Sequence, residues 1–309
     1  MYWGEKNVIA VGGGKAGIGK STFVANLGVS MAKRGKNVVV IDADTGATNL
    51  HNILGVRSPE KTLDDFLNNR QTDLAAALVD TAYSNLRLLS SASDVLSLAS
   101  PNYSERQRLL RAIQKLKTDA IIFDISAGTN QRATDFFSLA PIGIILIEPI
   151  PTSLETTYSF IKNLLVRGLL RRFYHDKEIT AFIQKSVSQS TKKKPHFSDL
   201  LVKLEKKSPG KVSAYRQLFL EGVCRMSIVV NSVKSPDQNA TGDKFVRLIK
   251  RDLALNMEVL GTLSFEAAMD DALINHLPFV IKYPDSSYAK KMSDIVSRID
   301  TLKSSQSPE

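Results

Sequence analysis

The sequence predicts a doubly wound α/β fold, a mostly parallel sheet with helices on both faces, and three observations predict it. A short apolar run, Asn7-Val8-Ile9-Ala10-Val11, leads into a glycine-rich turn and then into a helical stretch. Apolar runs of strand length alternate with longer amphipathic stretches along most of the chain, as in a buried parallel sheet with crossover helices. The composition, 43% hydrophobic and 23% charged, is that of a globular domain, and no apolar run reaches the roughly 18 residues of a membrane span.

The first strand, Asn7 to Val11, is followed by a helix from about Ser21 to Arg34 with Phe23, Val24, Leu27, Val29 and Met31 on its apolar side. Gly35 closes it where glycine most readily takes a left-handed cap. The next strand, Asn37 to Ile41, delivers Asp42-Ala43-Asp44 at its C-terminal end and completes a βαβ unit. Further strands read at 86–90, 120–124, 142–147, 227–231 and 259–263, with helices at 104–117 and 154–172. Residues 173–224 interrupt this rhythm. They hold no legible buried strand but contain Lys192-Lys193-Lys194 and Lys206-Lys207, and read as a basic helical insertion in a single domain spanning 1–303. Residues 304–309 read as a disordered tail.

The formal net charge of +10 is concentrated in one segment. Residues 161–225 carry 15 Lys/Arg against 5 Asp/Glu, while the remainder is balanced. Such a field attracts nucleic acid, acidic protein or anionic lipid, or is simply a solvated helical surface. Within it, Phe160 to Tyr174 sets Leu164, Leu165, Leu169 and Leu170 beside Arg167, Arg171 and Arg172, a candidate partner or lipid surface. A core helix carries the same stripe. The last helix, with Met292, Ile295, Val296, Ile299 and Leu302, is expected to pack on the core. A single cysteine, Cys224, excludes an internal disulfide and a cysteine-rich metal site within one chain. With no leader pattern before the first strand, the expected location is cytoplasmic, with a peripheral inner-membrane contact left open.

Gly14-Lys15-Ala16-Gly17-Ile18-Gly19-Lys20-Ser21, between a strand and a helix, is a P-loop. Its backbone N–H groups and the helix N-terminus present positive charge to phosphate oxygens, with Thr22 completing the binding stretch. Lys20 is expected to reach the β- and γ-phosphates of ATP, and the Ser21 hydroxyl to ligate Mg2+. Asp124, at the end of the Ala120–Phe123 run, is the natural carboxylate partner for Mg2+. Asp42 and Asp44, two apart on an extended segment, share one face and repel unless a cation neutralises them.

The run Gly-Lys-Ala-Gly-Ile-Gly-Lys-Ser resembles the deviant Walker A motif of the MinD/ParA family of P-loop ATPases. The resemblance covers about residues 6–160 and 226–300. It implies that Lys15 crosses to the ATP of a partner subunit in a nucleotide-sandwich dimer. Ala16 stands where the family usually has glycine, so a restricted loop is expected. Asp124-Ile125-Ser126-Ala127-Gly128 resembles the family's Asp-x-x-Ala-Gly switch, in which the Gly128 backbone approaches the γ-phosphate. The segment from Asp42 to Leu50 resembles the first switch of MinD-like and FlhG-like proteins. That likeness implies that Asp44 positions the attacking water, while Asp42 organises the Mg2+ shell and links the switches. Asn231 resembles the adenine-contacting asparagine, although a strand-ending turn residue is nearly as natural a reading. The loop Glu148 to Ser153 is expected on the dimer face.

These likenesses imply a slow, Mg-dependent ATP hydrolase acting as an ATP-dependent homodimer. It would engage a regulatory or cargo protein in positioning or assembling a bacterial cell structure such as a division site or flagellum. The alternative is a ParA-like DNA-binding partition ATPase using the basic segment, which the MinD-like first switch argues against. An iron–sulfur carrier of the same fold needs paired cysteines, which one chain with Cys224 alone does not supply.

Overall fold

β1 (Asn7–Gly12) sends Val8 and Ala10 into one apolar core and Ile9 and Val11 into another. β2 (Val38–Asp42) divides the same way, Val39 and Ile41 against Val38 and Val40. Successive side chains of a strand point to opposite faces, so a strand covered on both is apolar throughout. In the computed structural model the described residues are 6–44, 50–57, 61–68, 70–91, 103–188, 197–210, 212–213 and 225–304. β3 (Val79–Asp80), β4 (Leu86–Leu89), β5 (Ala120–Asp124), β6 (Ile142–Ile147), β7 (Arg225–Val233) and β8 (Glu258–Ser264) complete an eight-stranded sheet. Its order is β3-β4-β2-β5-β1-β6-β7-β8, parallel except for β3 against β4.

The face holding Val8 is covered by α3 (Leu63–Leu67), α4 (Tyr103–Lys115), α5 (Gln131–Phe137), α6 (Pro151–Arg172), α7 (Lys177–Ser188), α8 (Phe197–Lys207) and α9 (Thr241–Leu253). The opposite face carries α1 (Lys20–Lys33), α2 (Leu50–Ile53), α10 (Met269–Ile274), α11 (Phe279–Lys282) and α12 (Ser287–Ser304). The doubly wound fold is therefore as expected. From β1 the chain moves out to β2 and β4, then returns through β5 into the place between β2 and β1. That reversal gathers the C-terminal ends of β1, β2 and β5, where ligands of such folds sit. The register makes Asp42 and Asp124 direct cross-strand neighbours, with Val11 on the other side of Asp124.

Several expectations change. The stripe on α6 is a core face, with Phe160, Leu164, Leu165 and Leu169 buried and Leu170 packed against the same core. Arg167 and Arg171 both turn inward to Asp135 of α5. The leucine stripe of this helix therefore faces the core. Within 173–224 the described residues include the helices α7 and α8, whose Ile179, Ile183, Phe197, Leu201 and Leu204 join the main core. Lys192-Lys193-Lys194 lies outside the described residues. Met292, Ile295, Val296 and Ile299 of α12 are buried, as expected. That helix runs through Ser304, and 305–309 lies outside the described residues. β7 continues to Val233, so Asn231 stands inside the strand rather than at its end. No helix among the described residues is long and apolar enough to cross a membrane.

Candidate functional site

The loop between β1 and α1 is shaped by its glycines and anchored by one apolar side chain. Ile18 is 1% exposed and belongs to the core beneath α1. Gly17 and Gly19 take φ of 76° and 83°, the left-handed region that strains other residues. Gly14 has no room for a side chain, because a Cβ there would lie 2.2 Å from the Thr156 backbone of α6. Ala16, by contrast, is exposed and is not among the residues with positive φ. Its methyl is accommodated in this loop conformation. Asn231 donates from Nδ2 to the Ile18 carbonyl at 2.9 Å, so its amide braces the loop backbone.

Lys20 opens α1 and is buried, with Nζ donating to the Lys15 carbonyl at 3.4 Å. Burial lowers its pKa, and the negative charges of Asp124 and Asp44 act the other way. Lys15 is held differently. Its side chain is 37% exposed at the loop rim, and its ammonium pairs with Glu148 at 3.3 Å. Glu148 follows β6 and is itself steadied by a bond from its N–H to the buried Ser153 hydroxyl at 3.0 Å.

Below the loop lie the two cross-strand carboxylates, each 1% exposed. Burial raises the pKa of Asp124 to about 7, against favourable contributions from the Ser21 hydroxyl and Lys20. Asp42 is raised well above the ordinary carboxylate range, first by burial and then by the charge of Asp124. Asp42 Oδ1 accepts from the Asp44 N–H at 3.0 Å and from the Ser91 hydroxyl at 3.4 Å. Ser91 also donates to the Asp44 carbonyl at 2.9 Å. Asp42 Oδ2 and both oxygens of Asp124 accept no hydrogen bond of good geometry from the described residues. Buried polar atoms without partners are rare and call for a ligand.

A divalent cation fits this donor set. Among the described residues no three His, Cys, Asp or Glu side chains close a metal cage. Mg2+ uses one or two carboxylates and shares its shell with phosphate and water, and Asp42 and Asp124 supply two carboxylates. Ser21, Asp124 and Asp42 are the residues that would hold it, and bound there it would neutralise the carboxylates and phosphate charge together. The loop after Asp124 lies close by, since Gly128 N–H donates to the Gly13 carbonyl at 3.3 Å. Its approach to a γ-phosphate would exchange that bond for one to the ligand.

The structure thus gathers Gly14 to Thr22, Asp42, Asp44, Asp124 and Asn231 around one end of the sheet. Ser91 was missed by sequence reasoning. A lone serine after a strand carries no local signal, and its role depends on β4 lying beside β2.

Residues 9–279 match the model of the CobQ/CobB/MinD/ParA nucleotide binding domain. The chain belongs to this family. Its MinD/ParA relatives include Antiactivator FleN of Pseudomonas aeruginosa, 30% identical over 159 residues, 51% of this chain and 56% of that one. Septum site-determining protein MinD of Synechocystis is 37% identical over 143 residues, 46% of this chain and 53% of that one. The chain thus spans about half the length of these curated relatives. Among solved structures, MinD of Pyrococcus horikoshii complexed with Mg-ADP superposes with a TM-score of 0.66 at 18% identity, covering 98% of this chain and 100% of that one. That likeness is one of fold.

Proposed function

We propose that this chain is a Mg-dependent ATP hydrolase that works as an ATP-dependent dimerisation switch in positioning or assembling a bacterial cell structure. The observation that carries the reading is a pair of buried carboxylates with three oxygens that accept no hydrogen bond of good geometry from the described residues, beneath a P-loop that bears a second lysine at its rim. Lys20 and Ser21 bind the phosphates and Mg2+, Asp124 and Asp42 organise the metal shell, and Asp44 orients the attacking water. Asn231 serves the adenine end. Lys15 supplies its charge to the partner subunit's nucleotide, so the γ-phosphate is the ligand that favours the dimer. Catalysis of this kind is mostly positioning, and a slow intrinsic rate follows. MinD, a protein named for septum-site determination, supports a role in cell organisation. The partner is a regulatory or cargo protein. The charge of 161–225 offers an anionic surface a place to dock, and co-sedimentation with liposomes or DNA at low and high salt separates those two.

Three variants test the reading. Lys20→Ala abolishes Mg-ATP binding by calorimetry. Asp44→Ala keeps binding but accumulates dimer with ATP by light scattering. Lys15→Ala spares binding and weakens the dimer. An Asp44→Ala protein that stays monomeric with ATP sinks the switch.

A further inference from the structure

Asp64 and Arg132 form an ion pair whose side chains are 2% and 9% exposed, with Nη2 3.2 Å from Oδ1. Two charges removed from water to that depth give little net stability, and an apolar pair of similar volume commonly serves a fold as well or better. The position of the pair says more than its energy. Arg132 stands in the first turn of α5, two residues after Asn130, which caps that helix by accepting from the Ala133 N–H. Just before the cap is the loop that leaves Asp124 and sends the Gly128 N–H back to Gly13.

Asp64 stands in the first turn of α3, whose N-terminus is fixed by a capping box of Thr62 and Asp65. The neighbouring Leu63 N–H donates to the Ser90 carbonyl at 2.7 Å. The next residue along, Ser91, is the one that reaches Asp44 and Asp42. The far end of α3 is gripped as well, because Arg108 donates to the carbonyls of Phe66 and Leu67 and lies over the Phe66 ring. A contiguous path therefore runs from α5 through α3, the Ser90 carbonyl and the Ser91 hydroxyl to the Asp42 carboxylate and the Asp44 backbone.

We propose that Arg132 is a positioning residue: by holding Asp64 it seats α3 against Ser90–Ser91, and so ties the stance of Asp42 and Asp44 to the loop that follows Asp124. The inference rests on the nucleotide reading above. A ligand that draws the Gly128 loop displaces the start of α5, and the pair carries that displacement to the carboxylate that orients water. Such coupling is an energetic claim, and it requires more than a chain of contacts.

The test compares the double variant Asp64→Leu with Arg132→Met against each single change and against Arg132→Lys. Each single change breaks the buried pair from one side and lowers Tm, while the double returns Tm to near that of the wild type. Calorimetry with Mg-ADP and Mg-ATP is expected to give affinities within about twofold of wild type for the double, because both residues lie on α3 and α5, outside the phosphate-binding stretch 14–22. Its kcat falls about tenfold, in line with the effect of a small misplacement of a catalytic group, and Arg132→Lys recovers part of it. Hydrogen exchange adds a readout independent of turnover. In the wild type, replacing Mg-ADP by Mg-ATP slows exchange in both 125–130 and 61–68; in the double, only 125–130 responds. A double variant with wild-type kcat, or with 61–68 still responding, overturns the proposal, as does a wild type in which 61–68 never responds. A wild type that binds nucleotide but hydrolyses none overturns the hydrolase reading, and the exchange comparison then decides the coupling. A wild type that binds no nucleotide overturns both.

Discussion

The Lys15 ammonium stands 3.3 Å from the Glu148 carboxylate, so the lysine proposed to serve a partner's nucleotide is held by its own chain. With side chains 37% and 19% exposed, the pair is screened by water, and pairs of that kind contribute about 0.2–1 kcal/mol.

Glu148→Gln is therefore expected to favour the ATP-bound dimer. Releasing Lys15 in both subunits from an interaction of that size tightens the dimer by up to about thirtyfold. Binding of Mg-ATP to the monomer stays unchanged. Sedimentation velocity with ATP across a range of protein concentrations reads the shift. A weaker dimer would instead mean that Glu148 itself makes contacts across the dimer face.

The buried carboxylates predict an unusual pH dependence for the nucleotide-free protein. Asp124 has a pKa of about 7 in the fold against an ordinary 3.8, and Asp42 moves in the same direction. Between those values the folded chain keeps a proton that the unfolded chain has released. Stability therefore falls as pH rises through that window and levels off above it. Asp124→Asn is expected to raise Tm at pH 7.5 without ligand, to flatten this dependence, and to lose the Mg2+-dependent part of nucleotide stabilisation. Thermal melts from pH 5 to 8, with EDTA or with Mg-ADP, check all three. A wild-type Tm that climbs from pH 5 to 7 would count against the buried-carboxylate account.

Much of this arrangement was legible in the residues, for a physical reason. A P-loop is local: Gly17, Gly19 and Lys20 do their work within a few residues of one another, and the flanking strand and helix announce themselves by their apolar periods. Asp124 was legible because it ends a wholly apolar strand. The Ser91–Asp42 bond and the Asp64–Arg132 pair were not, because each joins segments that only the strand order brings together. The stripe on α6 misled for a related reason. Leucines at helical spacing mark an apolar face, and only the packing against α5 and the sheet decides that the face is inside.

Gly14 and Ala16 are two residues apart in one loop, yet opposite outcomes are expected at them. A Cβ on Gly14 would lie 2.2 Å from the Thr156 carbonyl, and a helix backbone cannot yield as a flexible side chain would. Gly14→Ala must push the loop away from α6, at a cost of about 1–3 kcal/mol or more by the measure of overpacked cores. Ala16 already sits exposed and without positive φ. Ala16→Gly thus changes little in the folded state and lowers stability by about 0.4–1 kcal/mol through the freer unfolded chain. Nucleotide affinity should follow the same order, lost with Gly14→Ala and nearly kept with Ala16→Gly. Urea melts and calorimetry with Mg-ADP on the two variants measure both effects. Equal losses at the two positions would mean that the loop is not seated on α6 by Gly14.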